Sequence, residues 1–317
     1  MKTLVVHLSI PGSFVEKIRE IVPDWNVVQT QKGEYDEALL KKAEIIVEWS
    51  GKTAKSCLKG NSDLRWVHTW AAGVESMPLE EFNKRGIWLT NSSGVHADPI
   101  SETIFALMLT LTRKIHVGIC NQKDHIWQAN TGLREIHGKT LGLLGMGSIG
   151  SETARLAKAF NMKVIGFRRT GRTAPYADEV VGKDSLEYLV SKSDYLVNTL
   201  PLTKETKHLI DSRVFGMMKS GAYYINVGRG GTTDTEALID AVRKGQIAGA
   251  GLDVFEEEPL PADSPLWDMK NIIILPHESG LTEYYDQRAL DIFIRNLKEY
   301  LQGHTPPINL VDPYQGY

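Results

Sequence analysis

The sequence predicts an α/β protein with two doubly wound parallel-sheet domains. Short apolar runs of strand length alternate with helix-length segments along nearly the whole chain. From Thr140 onward the runs are almost continuously apolar, as expected for parallel strands that are buried on both faces. The chain has 317 residues, of which 42% are hydrophobic, so it can bury the cores of two domains of ordinary size.

The first hundred residues predict a small α/β unit. Helix-like segments from Phe14 to Ile21 and from Asp36 to Ala43 separate β-type runs. Those runs are LVVHLSI (4–10), VVQT (27–30), EIIVEW (44–49), RWVHTW (65–70) and IWLTN (87–91). A long helix is expected next, with Asp98 as its N-cap, Pro99 as its first residue and apolar residues at helical spacing up to Arg113.

The region after residue 140 repeats the alternation more strongly. Segments such as Ser151 to Phe160 and Glu236 to Lys244 have the length of helices and separate apolar runs that suit a parallel sheet. Those runs are TLGLL (140–144), KVIGF (163–167), DYLVNTL (194–200), YYINV (223–227), AGLDV (250–254) and NIIIL (271–275). A last long helix is predicted by Leu290, Ile294, Leu297 and Leu301.

Three glycines after the run TLGLL predict a dinucleotide site. They follow a strand and open a helix, which is the context that gives this glycine pattern its meaning. Gly145 permits a tight turn, Gly147 lets backbone amides approach a pyrophosphate, and Gly150 allows the helix to pack closely on its strand. The competing interpretation is a glycine-rich loop without a ligand.

The end of the next strand predicts which dinucleotide binds. An acidic residue there would accept hydrogen bonds from the ribose hydroxyls of NAD, but this chain has Arg168, 23 residues after Gly145, followed by Arg169 and Thr170. Two guanidinium groups and a hydroxyl suit a 2′-phosphate. The sequence therefore favours NADPH, with NADH as a second donor. The alternative is that these arginines form a solvated surface cluster and cofactor choice is loose.

Three charged residues follow successive apolar runs in the second half of the chain. Arg229 follows YYINVG, Glu258 follows GLDVFEE, and His277 follows IIILP. Open parallel sheets bind ligands at the carboxyl ends of their strands, so we expect these side chains to lie together. The alternatives are a buried structural histidine, a surface ion pair and a packing role for the arginine.

Several motifs resemble the D-isomer-specific 2-hydroxyacid dehydrogenase family. They are LLGMGSIG (143–150), LPLTKET (200–206), NVGRGG (226–231), GLDVFEEEPLP (251–261) and PH (276–277), with further similarity at WAAGVES (70–76), NSSGVHADPISE (91–102) and the tail NLVDPYQGY. The resemblance covers nearly the whole chain. It implies a flavodoxin-like substrate domain, residues 1–98 and 288–317, and a dinucleotide-binding domain, residues 99–287.

The resemblance also implies a reaction, reduction of a 2-oxoacid by hydride from a nicotinamide. His277 would donate the proton, because the pKa of an imidazole in solution is about 6.5 and a carboxylate such as Glu258 favours its protonated form. Arg229 would bind the substrate carboxylate and polarise the carbonyl group. The small residues Ala72 and Gly73 would offer backbone amides to the same carboxylate, a plain turn being the competing interpretation.

The remaining site assignments follow from the resemblance. Asp253 is expected near the nicotinamide carboxamide and Thr206 near the adenosine. The full set of expected cofactor contacts is Gly145, Met146, Gly147, Ser148, Ile149, Gly150, Arg168, Arg169, Thr170, Leu200, Pro201, Thr206, Val227, Gly228 and Asp253. Trp70 either narrows the substrate pocket or fills the core, and Glu278 stands beside the proposed acid where relatives have small or apolar residues.

Composition favours a small-molecule partner. The net charge of −3 is spread through mixed sequence without a block that would follow nucleic acid or an anionic membrane. Cys57 and Cys120 have no metal-ligand spacing and no histidine follows the HE pair at a zinc-binding distance, so we expect no metal and a reducing, cytoplasmic location. The resemblance implies a homodimer.

Glyoxylate and hydroxypyruvate reductases are the branch of the family that VFEEEPLPADSPLW (254–267) and the RRT turn resemble most. A small 2-oxoacid is therefore the expected substrate. Two alternatives stay open: a dehydrogenase for bulkier branched or aromatic 2-oxoacids, and a binding protein that senses a dinucleotide on the same scaffold.

Overall fold

A computed structural model describes residues 1–30, 36–74 and 76–312. The chain forms two compact units, one made of Met1–Val95 with Thr282–Tyr317 and the other of His96–Leu281. The sequence prediction put the divisions at 98/99 and 287/288. Glu75 and residues 313–317, which belong to the stretches WAAGVES and NLVDPYQGY, lie outside the described residues.

The first unit is a five-stranded parallel sheet with helices between its strands. Its strands are β1 (Thr3–Val6), β2 (Asn26–Gln29), β3 (Ala43–Val47), β4 (Trp66–His68) and β5 (Trp88–Thr90). Its helices are α1 (Gly12–Ile21), α2 (Glu37–Lys42), α3 (Gly51–Cys57), α4 (Leu79–Arg85) and, from the end of the chain, the helix Tyr285–Leu301. The strand order is β2-β1-β3-β4-β5, which is the flavodoxin-like order and confirms the prediction for this sheet.

The second unit is built on a seven-stranded parallel sheet. In chain order it contains α5 (Ala97–Thr112), α6 (Ile115–Lys123), β6 (Thr140–Leu144), α7 (Ser148–Ala159), β7 (Lys163–Phe167), β8 (Glu179–Val181), α8 (Leu186–Lys192), β9 (Tyr195–Asn198), α9 (Ser212–Met217), β10 (Tyr223–Asn226), α10 (Thr235–Arg243), β11 (Gly249–Leu252) and β12 (Ile272–Ile274). The C-terminal helix Tyr285–Leu301 of the first unit is α11.

The strand order of this sheet indicates where a ligand crevice lies. It runs β12-β11-β10-β9-β6-β7-β8, so the chain winds outward from β6 to β8 and then returns to β9 on the other side of β6. The reversal between β6 and β9 is the switch point at which doubly wound sheets bind ligands beyond the carboxyl ends of their strands. The predicted doubly wound architecture is confirmed in both units.

Both faces of each sheet are covered by apolar side chains. In the second unit α5 packs on one face through Ile104, Leu107 and Met108, all of which are buried. In the first unit Phe293 and Leu297 of α11 lie in one of the two cores. This two-sided burial explains why the strands read as continuous apolar runs.

The start of α5 differs from the prediction. The helix begins at Ala97 with His96 at the N-cap position, so Asp98 lies inside the first turn and is not the cap. Pro99 is tolerated there because the first backbone N–H groups of a helix have no partner within the helix. Among the described residues no single helix is long and apolar enough to cross a bilayer; only α5 and α6 together pass by length and composition, as a pair bent by 69°.

Candidate active site

The three glycines form a tight turn between β6 and α7. Gly145 has φ +104°, a conformation that side chains disfavour, and a Cβ at Gly150 would lie 2.1 Å from the Gly145 carbonyl oxygen. Around Gly147 no heavy atom would lie within 4 Å of an added Cβ, and no side chain caps α7 there. The N-terminal amides of α7 are therefore open to an anion, as the dinucleotide prediction requires.

Arg168 lies directly after β7 and contacts this turn. Its Nη2 donates a hydrogen bond of 2.6 Å to the carbonyl oxygen of Met146, whose side chain is buried. Arg169 and Thr170 are exposed in the turn that follows. The guanidinium of Arg168 is thus held beside the glycine turn, at the carboxyl edge of the sheet.

Two asparagines shape the loops after β9 and β10 in the same way. Asn198 Oδ1 accepts a hydrogen bond from the Leu200 N–H at 3.0 Å, and Asn226 Oδ1 accepts one from the Gly228 N–H at 3.1 Å. The loops are in close contact, because a Cβ at Gly228 would lie 2.7 Å from the Leu200 carbonyl oxygen. The predicted contacts Leu200, Pro201, Val227 and Gly228 therefore belong to one packed edge.

Thr206 has a local role in the loop after β9. Its hydroxyl accepts a hydrogen bond from the Thr203 N–H at 2.7 Å and donates one to the Pro201 carbonyl oxygen at 2.6 Å. These bonds close the segment 201–206 into a compact turn. A contact of Thr206 with the adenosine stays a prediction.

His277 and Glu258 form a hydrogen-bonded pair. His277 Nδ1 donates to Glu258 Oε2 at 2.7 Å, and the other carboxylate oxygen accepts the Phe255 N–H at 2.9 Å. Burial would raise the pKa of Glu258, but hydrogen bonds from His277 and from the Phe255 N–H, with the charges of His277 and Arg229, outweigh it and hold the pKa below its ordinary value. Glu258 is therefore an anion at neutral pH.

Arg229 is exposed between the buried Gly228 and Gly230. Its Nη1 donates a hydrogen bond of 2.8 Å to the Gly228 carbonyl oxygen, and its charge lowers the pKa of Glu258. The structure thus brings Arg229, Glu258 and His277 to the carboxyl ends of neighbouring strands. A guanidinium, a carboxylate and a half-exposed imidazole at one place can bind an anion and move a proton.

Asp253 holds the turn that carries His277. The carboxylate is buried and accepts hydrogen bonds from the Glu278 N–H at 2.9 Å, from the Ser279 N–H at 3.2 Å and from the Ser279 hydroxyl. His277 itself has φ +56°, a strained backbone conformation for a residue other than glycine. Bonds to the next two residues offset this strain. The side chain of Glu278 is exposed.

A buried polar network beneath Arg229 is absent from the sequence-based prediction. Asn198 Nδ2 donates to Thr232 Oγ1 at 2.7 Å, and Tyr224 OH bonds Thr233 Oγ1 at 2.7 Å. The Thr232 hydroxyl in turn donates to the Arg229 carbonyl oxygen at 2.6 Å. These buried groups fix the turn after Arg229. The sequence signal that could have indicated this network is the asparagine that ends each of the runs LVN (196–198) and YIN (224–226).

Ala72 and Gly73 lie in the first unit, after β4. The Ala72 carbonyl oxygen accepts a hydrogen bond of 2.7 Å from Asn91 Nδ2, which fixes the turn. Within the described ranges, neither amide N–H donates to another residue. Contact with a substrate carboxylate stays a prediction.

Trp70 belongs to the core of the first unit. It is 6% exposed, its Nε1 donates to Asp286 Oδ1 at 2.8 Å, and its carbonyl oxygen accepts the Tyr285 hydroxyl at 2.6 Å. Of the two roles that the sequence left open, the structure gives Trp70 the packing role. It anchors the turn at Ala72 to the start of α11.

This combination of folds and side chains defines a class: a dinucleotide-binding α/β protein with an imidazole–carboxylate pair at the carboxyl edge of its larger sheet. Residues 105–279 match the family model "D-isomer specific 2-hydroxyacid dehydrogenase, NAD binding domain". The chain belongs to the D-isomer specific 2-hydroxyacid dehydrogenase family, which confirms the resemblance seen in its motifs.

Three similar proteins match nearly the whole of this chain. It is 34% identical over 311 residues to a glyoxylate reductase of Thermococcus litoralis, covering 94% of this chain and 92% of the relative. It is 33% identical to glyoxylate/hydroxypyruvate reductase B of Escherichia fergusonii, covering 98% of each chain. A D-isomer specific 2-hydroxyacid dehydrogenase of Xanthobacter autotrophicus Py2, solved with NADPH and MES, superposes with a TM-score of 0.78 at 27% identity over 100% of this chain and 99% of that one.

Proposed function

We propose that this chain reduces a small 2-oxoacid of the glyoxylate or hydroxypyruvate kind to the D-2-hydroxyacid with NAD(P)H. The observation that carries the proposal is the pair formed by His277 Nδ1 and Glu258 Oε2 at 2.7 Å, next to the cation Arg229. The names of the Thermococcus and Escherichia relatives support the substrate class.

His277 is the proton donor in this proposal. A carboxylate can only accept, so Nδ1 carries the hydrogen that faces Glu258, and Nε2 is the nitrogen left to serve the substrate. Nε2 then gives its proton to the carbonyl oxygen of the 2-oxoacid and recovers one from solvent, which reaches the half-exposed ring.

Arg229 binds the substrate carboxylate in this proposal, and the family resemblance assigns the backbone amides of Ala72 and Gly73 to the same group. The guanidinium of Arg229 is exposed and offers a fork of donors, and the two amides add neutral donors. Arg229 also polarises the carbonyl group, so negative charge that develops on its oxygen is stabilised. The nicotinamide, when bound, supplies the hydride.

The turn between β6 and α7 fits the pyrophosphate of a dinucleotide. Gly147 leaves open space in front of the uncapped N-terminus of a helix of 12 residues. The amides there, including those of Ser148 and Ile149, would bind the phosphates, and the packed edge at Leu200 and Gly228 would line the rest of the crevice. In this proposal the second unit is the dinucleotide-binding domain and the first is the substrate domain.

NADPH is the preferred donor in this proposal. Arg168 is held beside the glycine turn by Met146, and Arg169 and Thr170 are exposed next to it. The NADPH bound to the Xanthobacter relative supports the choice. Arg168→Asp should lower the ratio of kcat/KM with NADPH to that with NADH by roughly 10- to 100-fold, since hydrogen bonds to charged groups contribute about 1.5–3 kcal/mol. Arg243→Asp, at the far end of α10, is the matched control, and an unchanged ratio in Arg168→Asp would refute the assignment.

A substrate panel tests the reaction. NADPH oxidation is followed with glyoxylate, hydroxypyruvate, pyruvate and longer branched or aromatic 2-oxoacids, and we expect the two smallest to give the highest kcat/KM. A higher kcat/KM with the bulky acids would show that the chain is a dehydrogenase for branched or aromatic 2-oxoacids. Dinucleotide binding without any turnover would indicate a sensor. His277→Gln should lower kcat by about 10²- to 10⁴-fold while dinucleotide binding is kept.

A homodimer is part of this proposal. The helix α6 has no buried residue, and Ile119 and Trp127 in and after it are 61% and 104% exposed. Exposed large apolar side chains on neighbouring segments would be covered in an interface, here with a second copy. Light scattering after size exclusion should give a dimer, and Trp127→Ser should weaken it. A monomer at all concentrations would contradict the proposal.

A cytoplasmic location also belongs to the proposal. Cys57 and Cys120 are both free, and burial raises the pKa of the Cys57 thiol to about 11. An exposed thiol such as Cys120 stays reduced in a reducing compartment. Cell fractionation tests this, and recovery from an oxidising compartment would contradict it.

A further inference from the structure

The second unit contains another imidazole–carboxylate pair outside the residues discussed so far. His208 Nε2 lies 2.5 Å from Glu256 Oε1, with side chains that are 43% and 33% exposed. A carboxylate can only accept, so His208 is the donor. The pair joins the loop after β9 to the loop after β11.

The pair also reaches the loop after β10. Glu256 Oε2 accepts the Thr235 N–H at 2.8 Å, at the start of α10, and the His208 N–H donates to the Gly231 carbonyl oxygen at 3.0 Å. Burial would raise the pKa of Glu256, but hydrogen bonds from Thr235 and His208 outweigh it, so the pKa is lowered and the group is an anion at neutral pH. His208 and Glu256 therefore contact three of the loops that carry the proposed site, those after β9, β10 and β11.

The three loops are packed so tightly that a shift in one moves the others. A Cβ at Gly230 would lie 1.9 Å from the Phe255 carbonyl oxygen, so the turn that follows Arg229 rests directly on the segment 255–258. The Phe255 N–H is bonded to Glu258. Because Glu256 lies only two residues before Glu258 in this segment, a displacement of Glu256 also moves Glu258.

His208 is also held in a strained conformation. Its φ is +49°, in the left-handed region, which is unfavourable for a residue other than glycine. The bonds from its ring and from its N–H hold the backbone there. Without the ring bond the segment 201–208 is free to relax to an ordinary conformation.

We propose that His208 and Glu256 are positioning residues that clamp the dinucleotide-contacting loop 200–206 onto the loops of Arg229 and Glu258. The inference rests on the proposed function, because it assigns the pair to the dinucleotide side of that site. Loss of the clamp raises the Kd and KM for NADPH and leaves proton transfer by His277 largely intact.

The experiment compares His208→Ala, His208→Gln, Glu256→Gln and the double variant His208→Ala/Glu256→Gln. NADPH binding is titrated by fluorescence without 2-oxoacid, and KM and kcat are measured with glyoxylate. We expect His208→Ala to raise the Kd and KM for NADPH by about 3- to 10-fold with kcat within about twofold, the range of a partly exposed charge-assisted bond. His208→Gln keeps an N–H donor and should restore most of the affinity.

A matched control lies in the first unit. His304 Nδ1 and Glu299 Oε2 are 2.9 Å apart near the end of α11, so His304→Ala removes a similar exposed pair that contacts none of the three loops. It should leave the Kd for NADPH unchanged. The double variant should be no weaker than the worse single variant, because both changes remove the same contact.

Three results would overturn the inference: a Kd for NADPH in His208→Ala equal to that in His304→Ala, additive losses in the double variant, or no recovery in His208→Gln. If His208→Ala is unstable by circular dichroism, Glu256→Gln serves as the variant that loses the contact and His208→Gln as the variant that keeps it; equal Kd values for NADPH in these two variants would then overturn the inference. Wild-type protein that binds no dinucleotide overturns the proposed function and this inference together, whereas normal binding in all variants overturns the inference alone.

Discussion

Replacing Gly150 by alanine tests the geometry of the glycine turn most directly. The new Cβ would lie 2.1 Å from the carbonyl oxygen of Gly145 and 3.0 Å from its carbonyl carbon. Both are backbone atoms that cannot rotate away, so α7 must move by about 1 Å. Overpacking of this kind costs about 1–3 kcal/mol. At about 2–4 °C per kcal/mol for a domain of this size, Tm should fall by roughly 2–12 °C.

Gly147→Ala is the matched variant. Gly147 has φ −81° and no heavy atom within 4 Å of an added Cβ, so alanine fits without strain. Stability should change by less than about 1 kcal/mol, the cost of alanine at an N-cap position. The methyl group would nevertheless occupy the space in front of the helix N-terminus, and we expect dinucleotide affinity to fall on the order of tenfold, or about 1.4 kcal/mol.

Thermal unfolding and NADPH titration of Gly150→Ala and Gly147→Ala test the close packing of α7 on the turn and the placement of the phosphates. The geometry requires a large loss of stability in Gly150→Ala and a selective loss of binding in Gly147→Ala. An unchanged Tm in Gly150→Ala would refute the close packing of α7 on the turn. Wild-type affinity in Gly147→Ala would refute the placement of the phosphates.

Three other substitutions probe buried groups of the two units. Burial lowers the pKa of His68 from 6.5 to about 3, so below pH 6.5 this histidine binds a proton in the unfolded chain but not in the folded one; the free energy of unfolding should therefore fall by up to about 1.4 kcal/mol per pH unit. Urea titrations at pH 7, 6 and 5 should show a shallower fall for His68→Phe than for the wild type, and an equal fall would contradict a neutral buried ring. Trp70→Phe removes the hydrogen bond to Asp286 and should lower the free energy of unfolding, measured in urea, by about 1.5–3 kcal/mol. The KM for glyoxylate should stay unchanged, and a higher KM would place the Trp70 ring in the substrate pocket. Asp253→Asn replaces one of the two carboxylate oxygens that accept hydrogen bonds from the turn of His277, so kcat should fall with little change in the Kd for NADPH. A wild-type kcat would show that other contacts hold this turn.

Elements with a repeating apolar pattern were predictable from the sequence. The helix α5 was expected from Ile100, Ile104, Leu107 and Leu111, and all four are buried. The strands of both sheets were expected as apolar runs, with one exception. The edge strand β8 has only three residues, Glu179–Val181, and is too short and too polar to give a pattern.

Contacts between distant residues were not predictable. The role of Trp70 depends on Asp286, which lies 216 residues further along the chain, so the sequence could not choose between pocket and core. The helix α6 was missed because it buries nothing and its apolar residues do not repeat along one helical face. The second imidazole–carboxylate pair was missed because His208 and Glu256 meet only once three loops are packed together.

The two carboxylates near His277 have different tasks because they differ in burial and in partners. Glu258 is partly exposed and turns one oxygen to the His277 ring, so its charge acts on the group that we propose as the proton donor. Asp253 is buried and is bonded to Glu278 and Ser279, so it acts on the backbone and holds the strained turn. The cofactor contact predicted for Asp253 would have to share oxygens that already accept these hydrogen bonds. Loss of Glu258 should therefore change the pH dependence of kcat, whereas loss of Asp253 should lower kcat at every pH.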